Sequence, residues 1–178
     1  MGQQVGEQHA AAGVVTDADE VGARIAARLS KRRSANLTVA SARVLPAGAS
    51  RATYLVALSG DTDEQIIVRA VPSARSDDGG LAVEADILTA AASAGVPVPA
   101  VLDAGLDPAT SVLGYPYIVM NFVAGESIPR RILRDETYSA ARGRFVEQAG
   151  GILARIHQMD RHAAVSYTHL RAHETRHD

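Results

Sequence analysis

The 178 residues contain no cysteine and no tryptophan, only two phenylalanines, and a single lysine, Lys31, among 18 basic residues. Without thiols there is neither a disulfide framework nor a thiolate metal site. No apolar run approaches the ~20 residues of a membrane-spanning helix. The opening MGQQVGEQHAAAG lacks the charged start and apolar stretch of a signal peptide, so a soluble cytoplasmic protein with no membrane partner is expected. Net charge is −2, with acids and bases interspersed. No nucleic-acid partner is therefore expected, and the one basic run, Lys31-Arg32-Arg33, reads as the end of a helix.

What remains is an ordinary globular composition, long enough to bury roughly 70% of the unfolded surface. A helix is expected from about Asp17 to Arg33, capped by Thr16, with acids first, bases last, and Val21, Ile25 and Leu29 on one face. Residues 37–45, 53–58 and 65–71 read as three successive antiparallel strands, broken by Pro46-Ala47-Gly48-Ala49-Ser50 and by Ser59-Gly60-Asp61. A polar loop from Pro72 precedes a helix with Leu81, Ala85, Leu88 and Ala92 as its stripe and Gly95 as its stop. Val96-Pro97-Val98-Pro99 forces extended backbone into two more strands, near residues 100–103 and 116–121. A last helix, Tyr138 to Met159, should bury Phe145, Ala149, Ile152 and Ile156.

Two charges fall on apolar faces. Arg69 shares a strand face with Ile67 and Val71, and Glu84 lies on its helix's stripe between Leu81 and Leu88. Either they pair across strand and helix, or both long side chains reach out to solvent. Asp77, Asp78, Asp103 and Asp107 read as turn residues, solvated or in Asx turns, and His157 as a helix residue without chemistry.

The order of parts, together with Gly48-Ala49-Ser50, Ile67-Val68-Arg69, Gly95-Val96-Pro97-Val98-Pro99, Val119-Met120-Asn121-Phe122-Val123-Ala124-Gly125 and Leu153-Ala154-Arg155-Ile156-His157, resembles the aminoglycoside phosphotransferase family of small-molecule kinases. The resemblance runs from about Leu37 to Asp160. It implies an α+β fold: a protein-kinase-like small lobe, with about five antiparallel strands and a helix, preceded by an N-terminal helix and followed by the first helix of a truncated large lobe. The implied division is a tail and helix over 1–34, an ATP-binding lobe over 35–122, a hinge and large-lobe start over 123–165, and a tail over 166–178.

By that resemblance Gly48, Ala49 and Ser50 would cover the nucleotide phosphates. Arg69 would hold the α- and β-phosphates and be oriented by Glu84, and Met120, Asn121 and Phe122 would form the hinge that pairs with the adenine edge through strand-end groups left unpaired. The cofactor would be ATP, with Mg²⁺ only in an intact enzyme, and the partner an unidentified small-molecule acceptor. The family's His-x-Asp…Asn loop and its metal-binding aspartate do not occur, so no residue is assigned as catalytic and a truncated gene, inactive alone, is expected. A nucleotide-sensing or scaffold protein that keeps the lobe without chemistry is the alternative.

A third reading comes from His173-Glu174-Thr175-Arg176-His177, an H-E-x-x-H that on a helix would set two imidazoles on one face. Catalytic zinc needs a third protein ligand, which such families take from downstream, where only Asp178 remains. Residues 166–178 also resemble a translation of sequencing-adapter DNA. This tail is expected neither to fold nor to bind metal.

Overall fold

The structure, a computed structural model, describes residues 15–46, 51–72 and 80–159. The expected H-E-x-x-H tail, Gly48 to Ser50, Asp77 and Asp78 lie outside the described residues.

Helix α1, Ala18–Arg33, begins where a side-chain acceptor can satisfy its free N–H groups. That acceptor is Asp17, one residue beyond the expected Thr16: its Oδ1 takes the N–H groups of Asp19 and Glu20, each at 3.0 Å. Val21, Ile25 and Leu29 form the buried face, as their spacing requires. Strands β1 (Leu37–Leu45), β2 (Ala52–Gly60) and β3 (Glu64–Ala70) form an antiparallel meander. The turn into β3 needs a glycine: Gly60 has φ +135°, and a Cβ there would stand 2.0 Å from the Asn36 carbonyl oxygen.

Helix α2, Gly80–Ser93, ends as expected at Gly95, whose φ of +73° allows a doubly bonded C-terminal turn. There Val96 N–H donates to the Ala91 carbonyl at 2.9 Å and Gly95 N–H to Ala92 at 3.0 Å. The buried stripe of α2 holds Leu81, Ala85 and Ala91; Ala92, expected inside, is exposed, because the helical rotation carries it past the sheet.

Strands β4 (Val101–Gly105) and β5 (Tyr117–Asn121) complete one five-stranded antiparallel sheet in the order β1-β2-β3-β5-β4. Alternation along the strands divides the sheet into two faces. Tyr54, Val56, Leu58, Ile66, Val68 and Ala70 pack with α1, while Ile67, Val71, Ile118 and Met120 pack with Leu81 and Ala85 of α2.

Asp103, read from sequence as a turn residue, is instead the buried charge of β4, with its side chain 1% exposed. It accepts from Arg28 Nε at 3.3 Å, from Arg32 Nη1, and from the Tyr117 hydroxyl at 3.1 Å. These bonds fasten α1 to the far edge of the sheet. Burial, followed by the neighbouring Asp103 charge, pushes the Tyr117 phenol up to about 12. Asp107 does form the expected turn, accepting from Ala109 N–H at 3.0 Å.

The short helix α3, Pro129–Arg134, and a single 3₁₀ turn lead into α4, Ser139–Gln158. The amphipathic pattern of α4 gives the expected helix but not the expected burial. Phe145 is 67% exposed, Ala149 and Ile156 are exposed, and Ile152 is only partly covered, since no described element packs on that face. No helix among the described residues is long and apolar enough to cross a membrane.

Candidate functional site

Register places Arg69 opposite Thr53 on β2 and Ile118 on β5, so its side chain leaves the sheet on the side covered by α2. Glu84 stands one turn into α2, three residues after the anchoring Leu81. The two meet: Arg69 Nη1 donates to Glu84 Oε1 at 2.7 Å. Of the two readings the sequence left open, pairing holds. The Glu84 side chain is 20% exposed and that of Arg69 40% exposed, so the pair is half sheltered and its outer groups face water. Among the described residues, the buried Arg69 Nε finds no hydrogen-bond acceptor.

The sequence reading missed a third member. Arg51 Nη1 donates to the other carboxylate oxygen, Glu84 Oε2. Arg51 immediately precedes β2, whose Ala52 lies opposite Ala70, so Arg51 falls on the same face as Thr53 and Arg69. Knowing the hairpin register would have revealed it; a run of strand-like residues without register could not. Two guanidiniums thus converge on one carboxylate, each on its own oxygen.

Met120, Asn121 and Phe122 sit at the end of β5. Met120 lies opposite Ile67 on the α2 face and is 8% exposed, packed with Leu81, Ala85 and Ile118. The strand end is less open than the sequence reading required. Asn121 N–H donates to the Ala100 carbonyl at 3.1 Å and Phe122 N–H to the Gln65 carbonyl at 3.0 Å. The Asn121 side chain adds a reciprocal bond, its Oδ1 accepting Ala100 N–H at 2.5 Å. These N–H groups are committed to the sheet because β5 is an interior strand with neighbours on both sides. Among the described residues, the N–H groups of Val123 and Ala124 have no acceptor, so any unpaired donor for a planar ligand begins at Val123, one residue past the expected stretch.

Arg69, Glu84 and Met120 thus share one face of the sheet, with Arg51 added. Gly48, Ala49 and Ser50 directly precede Arg51 in sequence. A separate cleft of about 690 Å³ opens between Pro97 and the Arg144, Gln148 and Arg155 side of α4, which is tied to the lobe by Arg155 Nη1 donating to the Gly95 carbonyl at 3.1 Å. None of the expected site residues lines it. No group of three or more potential metal-ligating side chains occurs among the described residues.

Comparison with known proteins supplies what geometry alone does not. A solved structure from Ralstonia eutropha JMP134, whose name assigns it to the aminoglycoside phosphotransferases, shares the fold, with a TM-score of 0.56 and 22% identity over 83% of this chain. The chain spans 40% of that protein's length. Mouse acyl-CoA dehydrogenase family member 10 is 33% identical over 122 residues, 64% of this chain and 10% of the mouse protein. The model of the phosphotransferase enzyme family matches residues 41–178, which take in every strand but the start of β1 and both helices that follow the sheet. A kinase-like small-lobe sheet, an Arg–Glu pair between its third strand and following helix, and a family match over more than half its length agree, and the chain belongs to the phosphotransferase enzyme family.

Proposed function

We propose that residues 35–122 form the ATP-binding small lobe of a kinase that phosphorylates a hydroxyl of a small molecule, with residues 123–165 as hinge and start of the helical lobe. The observation that carries this reading is the Arg69–Glu84 bond on the α2 face. A phosphate chain needs a cation held in place, and a carboxylate on the packed helix fixes the guanidinium before the ligand arrives. The residues present fit such a ligand: Arg69 is 40% exposed on the α2 face, and a glycine-containing segment precedes Arg51 in sequence. When bound, ATP would supply the γ-phosphoryl group. Arg69 would hold its phosphates, Glu84 would orient Arg69, Gly48 to Ser50 would cover the phosphates, and the stretch from Met120 through Phe122 into Val123 would flank the base.

Transfer requires an aspartate to orient the acceptor hydroxyl and further groups to hold Mg²⁺. No His-x-Asp motif occurs in the sequence, and we take the chain by itself to position a nucleotide without transferring its phosphoryl group. Its working compartment on this reading is the cytoplasm, where ATP is supplied. Calorimetric titration of the full chain with ATP and ADP tests the proposal. Saturable binding that Arg69→Ala abolishes is expected, while no binding of either nucleotide at cellular concentrations would overturn it. Efficient ATP-dependent phosphorylation of any alcohol by the purified chain would overturn the claim of inactivity.

A further inference from the structure

We infer that two copies of this chain pair through the outer face of α4, lying antiparallel about a two-fold axis at Ala149. The inference rests on exposure and helical spacing and is independent of nucleotide binding.

Three observations carry it. First, α4 turns its polar side to its own lobe and its apolar side outward. Arg144, Glu147, Gln148 and Arg155 line the cleft toward Pro97, while Phe145 is 67% exposed, Val146 81% and Leu153 52%. A contiguous apolar face left to water marks a contact surface. Second, that face reads alike in both directions. Phe145 and Val146 stand four and three residues before Ala149, and Ile152 and Leu153 three and four residues after it, all on one helical stripe. A two-fold axis at Ala149 sets Val146 against Leu153 of the second copy and Phe145 against its Ile152, so each large side chain meets another. The crossing point is small: Ala149 is exposed, and a Cβ on Gly150 would meet nothing within 4 Å, which lets two helices approach closely there. Third, the stripe presents no charge for a second copy to repel. Glu147 lies on the cleft side, and Arg142, at the stripe's N-terminal end, turns back to its own chain, donating to the Ile132 and Asp135 carbonyls at 2.9 and 2.7 Å. A helix of 20 residues is about 30 Å long and covers less than the roughly 800 Å² per partner of a tight complex, so the dimer should be a weak one, in the micromolar range.

Sedimentation of the full chain over a range of concentrations tests the pairing, and the absence of cysteine makes its geometry testable by single-cysteine variants. A reversible monomer–dimer equilibrium is expected, weakened at least about tenfold by Leu153→Glu, which sets a carboxylate on the apolar stripe while circular dichroism keeps its helical signal. Under mild oxidation Ala149→Cys should form a covalent dimer with itself. Val146→Cys should not, yet it should couple to Leu153→Cys when the two variants are mixed, because only the antiparallel order brings those positions together. A chain that stays monomeric up to millimolar concentration, or that forms only unbounded aggregates, would overturn the inference. So would Val146→Cys coupling to itself as readily as to Leu153→Cys, which would mean a parallel or unspecific contact, or a dimer that Leu153→Glu leaves unchanged, which would mean a contact elsewhere.

Discussion

The Tyr117 hydroxyl donates to Asp103 Oδ2 at 3.1 Å, joining two adjacent strands at a point where both side chains are buried. Ionising this phenol would place a second negative charge beside the carboxylate in a desolvated site, which is why its proton is held up to about 12. The unfolded chain releases the same proton near 10. Folding thus favours the protonated form, and the resulting stability is complete below about pH 10 and lost as pH climbs toward 12. Roughly 2 to 3 kcal/mol is at stake. Urea unfolding between pH 9 and pH 12 should show this fall, and Tyr117→Phe should make it shallower, the remainder coming from Tyr54 and Tyr115, whose phenols burial also raises; an unchanged slope in the variant would reject the mechanism.

Asp103→Asn removes the charge that Arg28 and Arg32 share. Because both arginines are near half exposed, they recover part of their hydration, and the expected cost is about 2 kcal/mol, less than for a sealed pair. Hydrogen exchange should localise the effect: amides of α1 near Arg28 and Arg32 should exchange faster, while those of α2 should not.

Glu84→Gln removes the carboxylate charge on which two guanidiniums converge. The partial exposure of all three groups places the cost between that of surface and buried pairs, about 1 to 2 kcal/mol, or a fall in Tm of about 2 to 8 °C. Adding Arg51→Gln to this variant should restore part of the loss by removing the repulsion, and a double-mutant cycle measures it.

Gly60→Ala combines a backbone angle that L-residues avoid with a Cβ that would overlap the Asn36 carbonyl. The neighbour is backbone, tied by Asp61 N–H donating to that same oxygen at 3.0 Å, so it cannot yield cheaply. A loss of at least about 2 kcal/mol is expected in denaturant melts. Gly95→Ala should cost less, because a Cβ there meets nothing within 4 Å and only the φ strain remains.

Local signals accounted for much of this architecture. Strand alternation placed all five strands within a residue or two, and Gly95 marked the end of α2 because its turn needs a positive φ. Non-local partners were harder to see. Asp103 sits in a short strand beside proline-rich chain, and the arginines that justify its burial are 71 and 75 residues away. Thr16 and Asp17 are both competent caps, and only the path of the chain decides between them. Arg69 and Glu84 were visible because each interrupts an apolar periodicity. Arg51 interrupts none, standing at a strand end where charge is ordinary. For α4 the periodicity identified the helix correctly but said nothing of what covers its apolar side.

Arg51 and Arg69 have a further chemical consequence. Among the described residues their cluster contains no primary amine, and the chain's one lysine, Lys31, is exposed at the end of α1. Acylation, a common way of erasing a side-chain cation, needs an amine nucleophile and has none to attack beside Glu84. On the proposed nucleotide-binding reading, probes that transfer an acyl group from a nucleotide to a lysine beside its phosphates would find no lysine there. A survey built on such probes would count it absent from a cell that was full of it.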